Sequence, residues 1–203
     1  MEIQEIIDIL FAHRARINRN HFNNGYFTEQ DLKALPETGK DMMDYPLYVF
    51  DDPRMTPTDM DEACQRIGLT NPVNLIVVDY MQLAAIENPR DNREQQVAAT
   101  SRACKSLAKR FKAPVLGVSQ LNDEGAMRES RSIAHDANCV IKLQEDACGG
   151  VIAQVVKGRS IPKGDYFFEF EREFCIFKEV GCDERIEAMI PKPPQPLPDP
   201  TLF

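Results

Sequence analysis

The spacing of apolar residues predicts a chain in which helices alternate with short buried strands. Apolar side chains recur at helical spacing in residues 3–11 and again in residues 97–111. Two further helices are predicted to begin at threonine N-caps and to occupy residues 28–43 and 56–68.

Short uninterrupted apolar runs predict strands that are buried on both faces, as in a parallel sheet. Such runs occupy residues 47–50, 75–78 and 115–119, and residues 84–92 form a predicted loop. A helix is predicted at residues 128–137. Consecutive strands follow it, at residues 139–143, 151–157, 166–170 and 175–178. The expected fold is therefore α/β, with a mostly parallel sheet flanked by helices and antiparallel strands near the C-terminus.

Composition predicts one globular domain followed by a tail. The chain has 203 residues, of which 43% are hydrophobic and 28% charged, as is typical of a globular domain. We expect the domain to occupy residues 1–180. The last 13 residues contain six prolines, so residues 181–203 are predicted to be a disordered or extended tail.

Charge and cysteine content exclude only a few classes of function. The net charge of -8 leaves room for a local cluster of arginines in a cleft, so charge neither supports nor excludes nucleic acid as a partner. The six cysteines form no Cys-x-x-Cys pair, which disfavours a zinc site or a disulfide framework. No apolar run approaches the roughly 20 residues of a membrane span, so we expect a cytoplasmic protein.

An acidic residue, Asp79, directly follows the apolar run at residues 75–78. A buried parallel strand delivers such a residue to the carboxyl edge of the sheet, where ligands of α/β proteins bind. Nucleotide-hydrolysing folds hold magnesium with a carboxylate in this position. The alternative is a carboxylate that only caps the next element.

Three other polar residues occupy similar positions along the chain. Gln120 follows the predicted strand at residues 115–119, and it is either a functional group or an ordinary polar strand end. Lys157 and Arg159 alternate on one face of a late strand. They could reach across a subunit boundary, or they could be basic residues that protect a strand edge from aggregation.

Together, several motifs in a fixed order resemble the C-terminal motor domain of the DnaB-family replicative DNA helicases, which has a RecA-like fold. The resemblance runs from about Met1 to Lys178. The matching pieces, in chain order, are residues 75–83, 92–93, 105–109, 119–122, 128–130, 135–137 and 157–159.

The resemblance implies a role for each candidate residue in ATP hydrolysis. Asp79 is expected to orient the Mg²⁺ ion that bridges the terminal phosphates of ATP, and Gln120 to contact the terminal phosphate. Lys157 and Arg159 would act in trans, as the arginine finger and its lysine partner, on the nucleotide of a neighbouring subunit. The family assembles as a hexameric ring, so helicase subunits are the expected partners.

Contact with single-stranded DNA is implied for the two loops that line the channel of the ring, here residues 84–93 and 121–130. Arg90, Arg93 and Arg128 are the cations available for phosphate contacts. The second loop departs from the family pattern, because its stretch Asn122-Asp123-Glu124-Gly125 is acidic. Solvated surface arginines are the alternative interpretation.

A phosphate-binding loop, Gly-x4-Gly-Lys-Ser/Thr, does not occur in residues 1–203. The only Gly-Lys pair is Gly39-Lys40, where Asp41 replaces the hydroxyl residue and the pair lies in a predicted helix. By alignment with the family, the strand that carries this loop would lie upstream of Met1. Its omission would expose two strand edges and the apolar faces beside them, so we expect a chain that needs a partner.

Three interpretations follow from the missing loop. The first is that the chain is a truncated helicase, or the downstream piece of a split helicase whose phosphate loop is on a separate polypeptide. The second is that the chain is a non-hydrolysing subunit that completes a neighbour's ATP site through Lys157 and Arg159. The third possibility is a different RecA-like ATPase relative, against which the stretch from Asp79 to Leu83 and the Lys157-x-Arg159 motif argue. In each case we expect the isolated chain to be inactive.

Overall fold

The computed structural model describes residues 3–84, 92–120, 131–147 and 149–181, and it has the α/β architecture predicted from the sequence. Six α-helices lie in the described ranges: α1 Ile3–Ala15, α2 Arg19–Asn24, α3 Glu29–Met43, α4 Pro57–Gly68, α5 Arg93–Phe111 and α6 Arg131–Asp136. A short 3-10 helix, Met81–Leu83, precedes α5.

The six strands of the described residues form two sheets. They are β1 Ile76–Val78, β2 Val115–Gly117, β3 Cys139–Glu145, β4 Val151–Gly158, β5 Gly164–Glu171 and β6 Ile176–Val180. β1 and β2 pair in parallel, and β3 to β6 form an antiparallel sheet in chain order. A parallel pair followed by an antiparallel meander is the predicted order of strand types.

Helices α4 and α5 pack beside the parallel pair and form a core with it. Val78, Met81 and Cys104 are the buried residues of this cluster, and Met60 and Ile133 pack against them. Burial raises the pKa of the Cys104 thiol to about 11, so this cysteine is a packing residue and not a reactive thiol.

Close packing in this core requires a glycine in β2. A Cβ atom at Gly117 would lie 2.7 Å from the sulfur of Met81, closer than van der Waals contact allows. Glycine therefore lets the buried Met81 side chain lie directly on the strand.

The three N-terminal helices form a second unit, which docks on the turn between β5 and β6. The guanidinium of Arg16 bonds to Glu171 at 3.0 Å and lies over the ring of Phe174, and the backbone amide of Arg19 donates to the Glu173 carbonyl at 2.7 Å. Ile17, only 1% exposed, is buried in this unit.

Capping boxes start the predicted helices α3, α4 and α5. In α3, burial raises the pKa of Asp31, but hydrogen bonds from Thr28 and the contact with His21 outweigh this effect and leave the pKa below its ordinary value. The same arrangement starts α4, where Thr56 and Asp59 bond reciprocally. The predicted N-caps at Thr28 and Thr56 are confirmed.

The predicted strand at residues 47–50 is wrong. This segment has no regular structure, and Leu47, Tyr48 and Phe50 are about half exposed. A strand needs a neighbour that pairs with its backbone groups, and no described strand lies beside this segment. Helix α2 was not predicted at all.

Some predictions fall on residues that the structure does not describe. These are the start of the predicted helix at 128–137, most of the loop at residues 84–92 and the proline-rich tail. None of the helices in the described ranges combines the length and apolar character that crossing a bilayer requires.

Candidate functional site

Asp79 and Gln120 follow two strands that are neighbours in the same sheet. The register pairs Val78 of β1 with Gly117 of β2, and the Val118 amide donates to the Val78 carbonyl at 2.9 Å. Because the strands are parallel, both polar residues lie at one carboxyl edge, and both side chains are exposed there. The structure thus brings together the two residues that the sequence predicted to share a site.

Gln82 connects the ends of the two strands. Its side-chain nitrogen donates to the hydroxyl of Ser119 at 2.8 Å and to the carbonyl of Gln120 at 3.3 Å. Its side-chain oxygen is buried and has no hydrogen-bond partner among the described residues. A buried acceptor of this kind is usually satisfied by an ordered water molecule or another polar group.

Arg93, the described member of the three predicted DNA-contacting arginines, also reaches this edge. Its guanidinium donates to the backbone carbonyl of Gln82, and Asn92 caps the helix that it begins. The start of α5 is therefore joined to the segment that follows Asp79. Arg90 and Arg128 lie outside the described residues.

Lys157 and Arg159 occupy different environments, although they are two residues apart. Lys157 is in β4, and its ammonium group donates to the carbonyls of Ala134 at 2.6 Å and His135 at 3.1 Å. Arg159 lies just beyond the strand, which ends at Gly158, and its side chain is exposed. Both residues were expected to lie in one strand, and the structure places only Lys157 in a strand.

Two lysines bind the last carbonyls of α6. In addition to Lys157, Lys105 of α5 donates from its ammonium group to the carbonyl of Asp136 at 2.9 Å. Cations at the C-terminus of a helix satisfy unpaired carbonyls and interact favourably with the helix dipole. Sequence reasoning missed this role for both lysines, since the contacts join positions far apart in the chain.

Gly158 sets the conformation of the segment that carries Arg159. A Cβ atom at Gly158 would lie 2.2 Å from the carbonyl oxygen of Ile161, so any other residue would force the backbone to move. The amide of Arg159 is fixed from the other side by the carbonyl of Asn138, at 3.0 Å. Glycine is required here because two backbone segments approach closely.

Gly158→Ala is therefore expected to destabilise the chain by about 1–3 kcal/mol, because the overlap with Ile161 is relieved only by shifting backbone. Gly164→Ala is the matched control, because a Cβ atom there would meet nothing within 4 Å. Urea denaturation of the two variants measures the difference. Equal stability of both variants would contradict this description of the Gly158 turn.

Among the described residues, the edge that carries Asp79 offers oxygen atoms as metal ligands. Besides the Asp79 carboxylate, the hydroxyl of Ser119 lies at the ends of these strands, whereas the amide oxygen of Gln82 is buried. Hard oxygen donors with few carboxylates suit Mg²⁺, which retains several waters in protein sites. The donor set therefore fits a magnesium ion that is bound mainly through a phosphate ligand and water.

Comparison with solved structures identifies the class of fold. The chain superimposes on a solved ATPase domain with a TM-score of 0.80 and 20% identity, covering 89% of this chain and 72% of that domain. It matches a DnaB-like replicative helicase, studied with its interactions with primase, with a TM-score of 0.80 and 21% identity, covering 89% of this chain and 50% of that one. The fold is that of the RecA-like helicase ATPase domains.

Comparison of sequences identifies the family. The sequence model of the DnaB-like helicase C-terminal domain matches residues 1–179. The replicative helicase DnaB of Geobacillus stearothermophilus is 28% identical over 212 aligned positions, which cover 94% of this chain and 46% of that protein. That of Leifsonia xyli subsp. xyli is 31% identical over 154, covering 70% and 34%. The chain belongs to the DnaB-like helicase C-terminal domain family, and it spans less than half the length of these relatives.

Proposed function

We propose that this chain provides the magnesium-holding and finger-donating side of a DnaB-type replicative helicase motor. Such a motor uses ATP to move along single-stranded DNA and to unwind the duplex during replication, as a hexameric ring. The observation that carries the proposal is the placement of Asp79 and Gln120 at the carboxyl ends of two adjacent parallel strands. A nucleotide bound at this edge would contact both side chains.

Within that motor, Asp79 would hold Mg²⁺ through its carboxylate, directly or through water. A bound Mg²⁺ would neutralise part of the charge on the terminal phosphates of ATP. Gln120 would contact the terminal phosphate. Because Gln82 bonds to Ser119 and to the Gln120 carbonyl, it would keep the two strand ends at a fixed separation.

Arg159 would act on the nucleotide of a neighbouring subunit. Its side chain is exposed just beyond β4 and has no ion-pair partner in the described part of the chain. The guanidinium is therefore available to a neighbouring subunit. Lys157 is bound to α6, so it acts in this chain as a positioning residue for the turn that carries Arg159. A planar guanidinium with several donors is suited to stabilising the charge that develops during phosphoryl transfer.

Arg93 supports a connection between this site and DNA. It lies at the end of the first proposed DNA-contacting loop, and its bond to the Gln82 carbonyl joins that loop to the residues around Asp79. Arg90 and Arg128 would contribute further contacts to phosphates of single-stranded DNA. Loss of the terminal phosphate at Gln120 would then be transmitted through Gln82 to Arg93.

The chain by itself is proposed to be inactive, because residues 1–203 contain no phosphate-binding loop. Without that loop, too few groups surround the phosphates for tight binding of ATP. Its role then depends on other subunits, either as part of a complete motor or as a non-hydrolysing subunit that completes a neighbour's site. The exposed position of Arg159 favours action at a neighbour's site in both cases.

Mixed assemblies test this proposal. A complete DnaB subunit from Geobacillus stearothermophilus, with its own equivalent of Arg159 replaced by alanine, supplies intact phosphate loops but no finger. Addition of this chain is expected to restore ATP hydrolysis in proportion to the mixed interfaces that form. No restoration at any ratio, in mixtures where co-assembly is demonstrated by sedimentation, would refute the proposal.

A further inference from the structure

The backbone at Arg159 is held by the short segment between α6 and β3. The Arg159 amide donates to the carbonyl of Asn138 at 3.0 Å, and Asn138 lies between the last residue of α6, Asp136, and the first residue of β3, Cys139. The sheet pairs Cys139 with Gly158, so this bond is the next contact beyond the paired part of β4. A displacement of Asn138 would therefore move the backbone of Arg159 with it.

Helix α6 cannot hold this segment in place by its own stability. It has six residues, whereas isolated helices shorter than roughly 12–15 residues are marginal in water. The position of its C-terminal end must therefore come from contacts with neighbouring elements. α6 packs on α5, and side chains of α5 and β4 donate hydrogen bonds to its last turn.

A buried serine of α5 binds the last residue of α6. Ser101 is 4% exposed, and its hydroxyl donates to the carboxylate of Asp136 at 3.1 Å. The side chain of Asp136 is only 20% exposed. A hydrogen bond to an ionised group is stronger than one between neutral groups, so this contact attaches the end of α6 firmly to the middle of α5.

Lys105 adds a second bond from the same face of α5. It lies four positions after Ser101, which places the two side chains one above the other on the helix. Its ammonium group donates to the backbone carbonyl of Asp136 at 2.9 Å. Asp136 is thus held through both its side chain and its backbone, while Lys157 binds the two preceding carbonyls of α6 from β4.

The helix that carries Ser101 and Lys105 is also joined to the edge that carries Asp79. α5 begins at Arg93, whose guanidinium donates to the backbone carbonyl of Gln82. Ser101 lies eight positions further along the helix, which is about 12 Å at a rise of 1.5 Å per residue. One continuous helix therefore binds the segment after Asp79 and the end of α6.

We propose that Ser101 and Lys105 of α5 are positioning residues for Arg159. They fix Asp136, and the end of α6 in turn fixes the Asn138 carbonyl that binds the Arg159 amide. Neither residue is expected to touch ATP or Mg²⁺. The inference rests on the proposed function for its effect on hydrolysis, but the positioning itself is a property of this chain and can be measured without a nucleotide.

Hydrogen exchange of single amides, followed by NMR on the complete chain, tests the positioning. Ser101→Ala and Lys105→Met each remove one donor to Asp136 and keep the rest of the helix. Each variant should speed exchange of the Arg159 amide by about tenfold or more, because loss of a hydrogen bond that involves a charged group makes local opening more frequent. The Val118 amide, bonded to the Val78 carbonyl at 2.9 Å, is the internal reference and should keep its rate.

Matched controls come from the same helix. Ser106→Ala and Lys109→Met make the same chemical changes at exposed positions of α5. Both controls should leave the exchange rate of the Arg159 amide unchanged. Urea denaturation of all four variants measures global stability, which would alter the Arg159 and Val118 amides together.

The effect on chemistry is measured in the mixed assemblies with finger-deficient DnaB subunits. Ser101→Ala and Lys105→Met should lower the kcat of the restored hydrolysis by about tenfold or more, since a small displacement of a group that acts in the transition state is costly. The KM for ATP should stay unchanged, because the neighbouring subunit binds the nucleotide. Sedimentation confirms that equal amounts of mixed assembly form.

Three outcomes would overturn the inference. They are an Arg159 amide whose exchange neither variant changes, equal acceleration of exchange at Arg159 and Val118, and faster exchange at Arg159 with an unchanged kcat. The second outcome would show that Ser101 and Lys105 only stabilise the chain. Failure of the unmodified chain to restore hydrolysis would refute the proposed function instead, and the exchange rates would still decide the positioning.

Discussion

Replacement of Arg159 by alanine is expected to abolish the ATP hydrolysis that this chain restores to finger-deficient DnaB subunits. An arginine finger supplied in trans contributes about 10³–10⁵ in kcat, so the loss at each mixed interface should be of at least the lower magnitude. Arg159→Lys should recover little, because an ammonium group lacks the planar set of donors of a guanidinium. Hydrolysis of ATP by the mixtures is the measurement.

The control for this prediction is Arg102→Ala. Arg102 is an exposed arginine of α5 that has no proposed role in the site, so its replacement changes net charge equally and should leave the restored hydrolysis intact. The Gly158→Ala chain should restore an amount of hydrolysis between those of the Arg159→Ala and Arg102→Ala chains. It displaces the segment that carries Arg159 without removing the side chain. Full restoration by the Arg159→Ala chain would show that the guanidinium is not the group that acts in trans.

Asp79→Asn is expected to have the second large effect, in a motor whose phosphate loop is present. Such a motor can be made by joining the segment that precedes the matched region of the Geobacillus stearothermophilus relative to residue 1 of this chain. Asparagine keeps the shape of the side chain but removes the charge that Mg²⁺ requires. Loss of one preorganised electrostatic group typically lowers kcat by about 10²–10³, and a decrease of this size is expected in the fusion.

A comparison of two assays distinguishes the role of Asp79 from that of Arg159. In mixtures with finger-deficient subunits, the chain contributes only Arg159, so Asp79→Asn should restore hydrolysis as well as the unmodified chain does. Asp41→Asn, on the exposed side of α3, is the matched control in the fusion and should leave its activity unchanged. Normal Mg²⁺-dependent hydrolysis by the Asp79→Asn fusion would contradict the proposed role of the carboxylate.

Local sequence patterns were sufficient for the elements that position Asp79 and Gln120. Each residue follows an uninterrupted apolar run, and such runs predict buried parallel strands whose carboxyl ends share an edge. The threonine caps of α3 and α4 were equally clear, because a capping box is a contact between residues three positions apart. The resemblance to DnaB-family helicases, drawn from short motifs in order, is confirmed by the family match over residues 1–179.

Features that depend on distant contacts could not be predicted in this way. Lys157 binds a carbonyl 23 positions away, and no local pattern marks a lysine that caps another element. Residues 47–50 have the apolar composition of a strand but lack a described neighbour to pair with, so composition alone was misleading. Helix α2 has six residues and one apolar side chain, so it shows no periodicity that a sequence pattern could detect.

Calorimetric titration with a non-hydrolysable ATP analogue and Mg²⁺ tests the central claim most directly. The claim is that this chain holds the metal-binding and finger residues of the motor, while the groups that surround the phosphates come from elsewhere. It predicts no saturable binding by the pure chain and saturable binding by the fusion that restores the phosphate loop. Saturable binding by the pure chain that Asp79→Asn abolishes would contradict it.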